Sequence, residues 1–297
     1  MNARKTWWVG LGYLLVVLIW GTTWYGIHTQ VNGTSPHLGV AFRMGVASII
    51  FFAIAGALRV PLRLTPYQAR QVVIQGICFF GLNYLAVYAG AQYLTSGIVA
   101  VLFSVFVPLN ILVEWLLYGE RPRLVVVAAA VIGVTGIAMV FSTELARASL
   151  SGTALWGAAL ILFSAILVAL GNVLATRLVS SELSPLVLNA YGTAVGTAAI
   201  LLWALISGAP WSLTITPTWL MGLSYLSLVG TVLAFGVYMK ILPIVGSVAG
   251  AYVAVLSPIV AIGISSVLEG LPLTVVTFAG VALLLIGHSL LAAQRRP

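Results

Sequence analysis

Runs of about 20 apolar residues, separated by short polar links, repeat along the whole chain. Breaks at Pro, Gly, charge and polar clusters delimit ten runs, approximately 7–27, 37–58, 68–90, 95–117, 123–142, 154–176, 184–207, 218–239, 246–268 and 273–293. A membrane-spanning helix needs about 20 mostly apolar residues, so the pattern predicts ten transmembrane helices. No stretch alternates apolar and polar as a barrel strand does. An open strand would leave backbone groups unpaired in lipid. The first run is also longer than the 7–15 apolar residues of a cleavable leader.

Composition agrees with that pattern. The chain is 62% hydrophobic and 6% charged, and it contains no Asp. A soluble domain carries about 25% charged residues. The net charge of +8 does not point to nucleic acid, because the basic residues lie in short gaps between apolar runs. Arg4, Lys5, Arg59, Arg63, Arg70, Arg121, Arg123, Arg177, Lys240, Arg295 and Arg296 fall on one side of the ten-span arrangement, and Arg147 on the other. Positive links stay cytoplasmic, so both termini are expected inside. Trp7 and Trp8, directly after Arg4 and Lys5, read as an inner-interface anchor. Cys78 is the single cysteine, which excludes an intrachain disulfide and a Cys-rich metal site.

The second half echoes the first at a shift near 150. Gly21 matches Gly171, Ser35-Pro36 matches Ser184-Pro185, and Thr65-Pro66 matches Thr216-Pro217. Tyr88 matches Tyr238, Pro108 matches Pro258, and Pro122 matches Pro272. The halves, 1–147 and 148–297, would each hold five spans. Five is odd, so the second copy must lie inverted in the membrane. Inverted repeats are typical of secondary transporters, whose substrate sits near the midplane between them. The expected fold is therefore an all-α integral membrane protein of ten transmembrane helices, arranged as two inverted five-helix repeats around a central cavity.

Several motifs carry a family resemblance. They are Trp20-Gly21 in span one, Ser35-Pro36 and Phe42-Arg43 in span two, and Ser96-Gly97 through Pro108 to Gly119-Glu120 in span four. Span nine repeats the last pattern as Gly246-Ser247 through Pro258 to Glu269-Gly270. In this order, over nearly the whole chain, they resemble the drug/metabolite transporter superfamily in its ten-span branch of two EamA domains. More narrowly, the chain is similar to bacterial aromatic amino-acid exporters of that superfamily. The resemblance implies export of amino acids across the inner membrane through a cavity between the halves. The second half has no Arg at the place of Arg43; Asn189 and Tyr191 lie nearby, so equal roles cannot be assumed.

The residues themselves offer candidates for a path. Phe80, Tyr84 and Tyr88 are spaced four apart and form one helical stripe with Asn83 beside it. Tyr225, Tyr252 and Ser257 add polar tips on spans eight and nine. An apolar wall with a few polar groups suits a small amphipathic solute, and aromatic stacking favours an aromatic side chain. Trp20 is about 20 Å along its helix from Trp7, too deep for the outer belt, and is the candidate for the cavity wall. Trp24 and Tyr25 are read as outer-belt anchors, and Tyr238, beside Lys240, as an inner one; Tyr88 fits either a belt or the cavity.

Pro108 and Pro258 interrupt their helices and serve as either static kinks or paired hinges. Gly192–Gly196 and Gly246–Gly250 are spaced for close helix packing. Arg43 is about 9 Å into span two. It either packs, snorkels outward or meets a substrate carboxylate. Glu114 reaches the inner headgroups, carries a proton or meets an amine. His28 and His37 frame the first outer link, too superficial for a relay, and His288 is expected in a helix–helix hydrogen bond.

No GxxxxGK[ST] loop supports ATP drive, and no HExxH or Cys cluster supports a metal enzyme. No cofactor is implied, and no oligomer is indicated. The partners expected are a small-molecule substrate, foremost an amino acid, and the bilayer. Without a central carboxylate pair, facilitated diffusion or exchange is the default, with proton antiport open through Glu114 or a His. Other metabolites or drug-like cations remain alternative substrates. An intramembrane enzyme and a passive channel remain alternatives of a different class.

Overall fold

Proline and hydroxyl residues fix where helices begin. In the computed structural model, Ser35 and Ser184 precede helices that open on Pro36 and Pro185. Proline suits a first turn because the amide it lacks would be unpaired there anyway. Thr65 and Thr216 cap two further helices by accepting the amides of Gln68 and Trp219. Gln68 returns the bond to the Thr65 amide at 3.0 Å, which completes a capping box.

The structure describes residues 3–31, 34–119, 121–147, 152–251 and 253–293, without the side chains of 3–6, 143–147, 247–249, 251, 254–255, 288 and 291–293. Every regular element among them is helical. We number them α1 (Ala3–Gln30), α2 (Pro36–Ala57), α3 (Pro66–Gly90), α4 (Ser96–Tyr118), α5 (Leu124–Arg147), α6 (Gly152–Ser180), α7 (Pro185–Ser207), α8 (Pro217–Gly246), α9 (Val253–Leu268) and α10 (Val275–Ala293). Eight of these, α1 to α8, are long and apolar enough to cross a membrane. The apolar stretches of the last two, Leu256–Leu268 and Val275–Gly287, are shorter.

Three helices carry irregular segments. A π-helical segment interrupts α3 at Gly76–Leu82 and α8 at Tyr225–Leu233. In α4 the helix breaks between Phe103 and Phe106. Pro108 has no amide to give to the Ser104 carbonyl four residues back. The Val107 amide reaches that carbonyl instead, at 3.2 Å. Pro258 lies inside α9 without a comparable break. At the end of α8, Gly246 has φ 81° and ψ 163°. The Gly246–Gly250 stretch is therefore a corner rather than the straight packing face expected of it, and only glycine takes this conformation freely.

Packing builds the centre from both halves of the chain. α1 packs on α8 and α9, α6 packs on α3 and α4, and α2 packs on α7. α5 and α10 pack chiefly on each other at the periphery. Glycines mark the closest approaches. A Cβ on Gly21 would lie 2.5 Å from the Val260 Cβ, and one on Gly171 would lie 2.5 Å from the Phe79 Cβ. Gly192 and Gly196 of α7 receive the Phe80 ring and backbone of α3. The outward faces stay apolar, as with Leu11, Leu14 and Leu18 on α1 and Leu202, Leu205 and Ile206 on α7. Lipid tails suit such faces.

Candidate functional site

A narrow chamber lies where α1, α3, α4, α6, α8 and α9 meet. α1 contributes Trp20, Thr23, Trp24 and Ile27, spaced so that they share one helical face. α3 contributes Phe79, Asn83, Tyr84 and Val87. Phe103 and Phe106 flank the break in α4, Val168 comes from α6, Phe235 and Tyr238 from α8, and Ser257 from α9. The rings interlock. Trp20 stands 4.9 Å from both Phe235 and Tyr238, and Trp24 is 5.0 Å from Phe103. These tilted pairings avoid a face-to-face sandwich, as the ring quadrupoles prefer.

The chamber has a volume of about 50 Å³. A ligand pocket usually has about 300–1,000 Å³. The described conformation is thus contracted around the chamber, and a solute could occupy it only after the walls move. Polar atoms are few and poorly satisfied. Asn83 donates to the Phe79 carbonyl at 3.0 Å, while its Oδ1 has no partner. The Trp24 indole nitrogen also has none. A buried polar group left unpaired is costly, so an acceptor and a donor are held ready at the wall.

Two polar clusters bracket the chamber. On one side, Tyr238 donates to Asn172 Oδ1 at 2.6 Å, and Asn172 Nδ2 donates to Asn110 Oδ1 at 2.9 Å. This ties α8, α6 and α4 together. Further along, Arg177 lies 3.8 Å from Glu114 and 4.1 Å above the Tyr118 ring. On the other side, Glu269 at the foot of α9 accepts the Ser96 amide at 3.1 Å and the Ser96 hydroxyl, and so caps α4. His28 at the end of α1 comes within 3.4 Å of the same carboxylate. A second cavity, of about 590 Å³, opens beside this cluster, with Tyr25, His28, Thr95, Thr218, Trp219 and Glu269 on its walls.

The EamA-like transporter family matches this chain twice, over residues 6–142 and 155–293. This chain belongs to the EamA-like transporter family. The superfamily resemblance drawn from the motifs agrees with that membership. Among its relatives, the inner membrane transporter YedA of Escherichia coli strain K12 is 29% identical over 289 residues, 93% of this chain and 90% of that one. The transporter YoaV of Bacillus subtilis strain 168 is 23% identical over 199 residues, 67% of each chain. A solved crystal structure superposes with a TM-score of 0.68 at 17% identity, over 97% of this chain and 98% of that one, a likeness of fold alone.

In this EamA-like chain, Trp20, Asn83, Tyr84 and Ser257 converge on the chamber. Phe80 and Tyr88 do not. Phe80 is fully buried against α7, and Tyr88 is fully buried with Gly39 of α2 beneath its ring. The chamber face of α3 runs through Phe79, Asn83 and Val87, one residue earlier than the expected stripe of Phe80, Tyr84 and Tyr88, with Tyr84 beside it just after the wider turns of the π segment. Tyr225 stands outside the chamber, with its hydroxyl on Thr22. Tyr252 lies outside the described residues, as do Glu120 and the side chains of Ser247 and His288.

Two belt assignments are overturned. Trp24 is 9% exposed and Tyr238 is 1% exposed, and both line the chamber. Sequence depth places them near a membrane surface, but their indole and phenol turn inward. Their neighbours Thr23, Phe79, Phe103, Phe106 and Phe235 are not among the sequence candidates. The spacing Trp20, Thr23, Trp24, Ile27 is the one signal that could have found part of this wall. His37, at the start of α2 beside the first link, is packed edge-on to Trp211 at 5.4 Å and Trp203 at 6.2 Å.

Proposed function

We propose that this chain is a multi-pass inner-membrane transporter that exports small amphipathic metabolites, foremost amino acids including aromatic ones, by alternating access. The observation that carries the reading is the contracted aromatic chamber with an unpaired acceptor on Asn83 and an unpaired donor on Trp24. An aromatic wall with a few fixed polar atoms binds a ring and orients the polar end of the same solute. An ammonium group is suited to the Asn83 Oδ1. The relatives named as transporters support the same class of activity.

All ten helices cross the bilayer in this proposal, with both termini cytoplasmic and the halves inverted. The paired π segments in α3 and α8 support that arrangement. So do the matching packings of α1 on α8 and α9 and of α6 on α3 and α4. The Asn110–Asn172–Tyr238 cluster then closes the inner side and the Ser96–Glu269–His28 cluster the outer side. Pro108 and Pro258 are the hinges between these closures.

Counter-flow in proteoliposomes tests the reading. Loaded phenylalanine or tyrosine is expected to drive saturable uptake of the labelled amino acid, and Tyr84→Ala is expected to reduce it at least several-fold. A linear, unsaturable flux would identify a channel instead, and solute consumed without displacement would identify an enzyme. Flux with and without a pH gradient separates exchange from proton antiport; strict dependence on the gradient would refute the uncoupled form.

A further inference from the structure

We propose that Arg43 forms a carboxylate-recognition site concealed behind Tyr84, so that the solute carried through the central chamber bears a carboxylate. The proposal rests on that chamber being the transport path. It adds what the chamber walls alone do not specify, namely the charge of the cargo.

Arg43 is 1% exposed, two turns into α2. Its Nε donates to Thr231 Oγ1 at 2.9 Å, and its Nη2 approaches the Gly230 carbonyl at 3.5 Å. Thr231 is itself fixed by donating to the Leu226 carbonyl at 2.8 Å, within the π segment of α8. Among the described residues no carboxylate pairs with Arg43; Glu269 lies beside His28, and Glu114 pairs with Arg177. Arg43 Nη1 is buried without a partner. The Tyr88 hydroxyl beside the guanidinium is buried without an aligned partner too.

Nη1 is a donor only, and the Tyr88 hydroxyl, which can accept from the guanidinium, has a proton to give. A carboxylate is acceptor-only and takes several hydrogen bonds at once, so it complements this pair. A guanidinium fork matches it in shape as well. A cation is disfavoured, because it would approach a buried positive charge that no described carboxylate offsets. An ionisable residue at membrane depth is a functional candidate by default, and a buried charge left without a counter-charge is costly.

The site is one side chain away from the chamber. The Tyr84 ring lines the chamber on one face and covers the guanidinium on the other, 4.7 Å from Cζ. On a second route, the Gly230 carbonyl that Arg43 approaches also accepts the Trp20 indole at 3.3 Å. Rotation of Tyr84 as the chamber widens would bring the chamber and Nη1 together. Tyr84 then reports arrival of the anionic end, and Trp20 senses it through the shared carbonyl.

The test uses the full chain with three probes that share a phenyl ring: phenylalanine, 3-phenylpropionate without the amine, and phenethylamine without the carboxylate. Thermal stabilisation in detergent and counter-flow in proteoliposomes are measured for wild type, Arg43→Gln and Arg43→Lys. Wild type is expected to recognise 3-phenylpropionate at least about tenfold better than phenethylamine, the scale of a charge-assisted hydrogen bond. Arg43→Gln is expected to raise KM for both carboxylates about tenfold without changing phenethylamine, and Arg43→Lys to restore part of the loss. A side chain serving only as a rivet would lower stability without changing the ranking of probes.

Equal handling of 3-phenylpropionate and phenethylamine by wild type overturns the proposal. So does an equal loss for both in Arg43→Gln, or the absence of stabilisation by all three probes. Should Arg43→Gln fail to fold, the wild-type ranking decides alone. Recognition of 3-phenylpropionate but not phenylalanine would sink the amino-acid reading and leave Arg43 as the anion site. Stabilisation by carboxylates without any flux would sink the transport reading and leave it likewise.

Discussion

At the scale of single residues, glycine placement decides how closely the helices meet. A Cβ on Gly196 would lie 2.8 Å from the Phe80 carbonyl carbon and 2.9 Å from the Gly81 amide, both backbone atoms. Neither can swing aside, so α3 and α7 would have to separate. Gly196→Ala is expected to destabilise by about 1–3 kcal/mol, as overpacking does. Gly236 of α8 has nothing within 4 Å of the same position. Gly236→Ala is expected to be neutral or to stabilise by up to about 1 kcal/mol through helix propensity. Melting temperatures of the two variants in detergent should therefore move apart; equal shifts would contradict this account of the packing. The same scale shows what single residues conceal. Trp24 and Tyr238 carry belt-like chemistry at belt-like depth, yet a rotation of about 100° per residue around the helix axis decides whether they face lipid or chamber.

At the scale of elements, irregular segments set which side chains meet. The π segments of α3 and α8 widen the helical turn where they occur. In α3 the chamber takes Phe79, Asn83, Tyr84 and Val87, while Phe80, inside the π segment, packs on α7. In α4 the break stems from Pro108, and Phe103 and Phe106 flank it on the chamber wall. Pro108→Ala would return an amide to the Ser104 carbonyl and straighten the segment. Flux is expected to fall several-fold with insertion and folding intact, measured by counter-flow and by size exclusion. Unchanged flux would mean that the kink is static. Pro258 has no visible break around it, so Pro258→Ala is expected to have the smaller effect.

At the scale of the whole molecule, two polar clusters bracket the chamber, and the proposed function makes them its closures. Glu269 joins α9 to α4 through Ser96 and to α1 through His28. Its carboxylate also offsets the partial positive charge at the α4 N-terminus. Glu269→Gln removes that charge and is expected to loosen the closure beside the 590 Å³ cavity. With Cys78 replaced by Ala, maleimide labelling of Tyr25→Cys, from the face that the proposed orientation puts outside, should speed up several-fold in Glu269→Gln. An unchanged rate would remove the latch role. The cluster opposite combines neutral hydrogen bonds among Tyr238, Asn172 and Asn110 with the Arg177–Glu114 pair further along.

The helical class, the membrane environment and the family are legible along the linear chain. Each rests on a property that is linear along the chain: apolar run length, the scarcity of charge, and motifs at fixed spacing. Helix starts were legible for the same reason, since Ser-Pro and Thr-Pro act on their own first turn. Only the tertiary structure decided which faces of those helices form a chamber. The π segments shift helical register, and facing depends on neighbours more than a hundred residues away, such as Gly230 for Trp20 and Thr231 for Arg43. The burial of Arg43 without a carboxylate is of that kind. From the sequence, an Arg near a helix end can snorkel, pack or bind; three-dimensional packing closes the route to the surface and leaves its free donor beside the chamber.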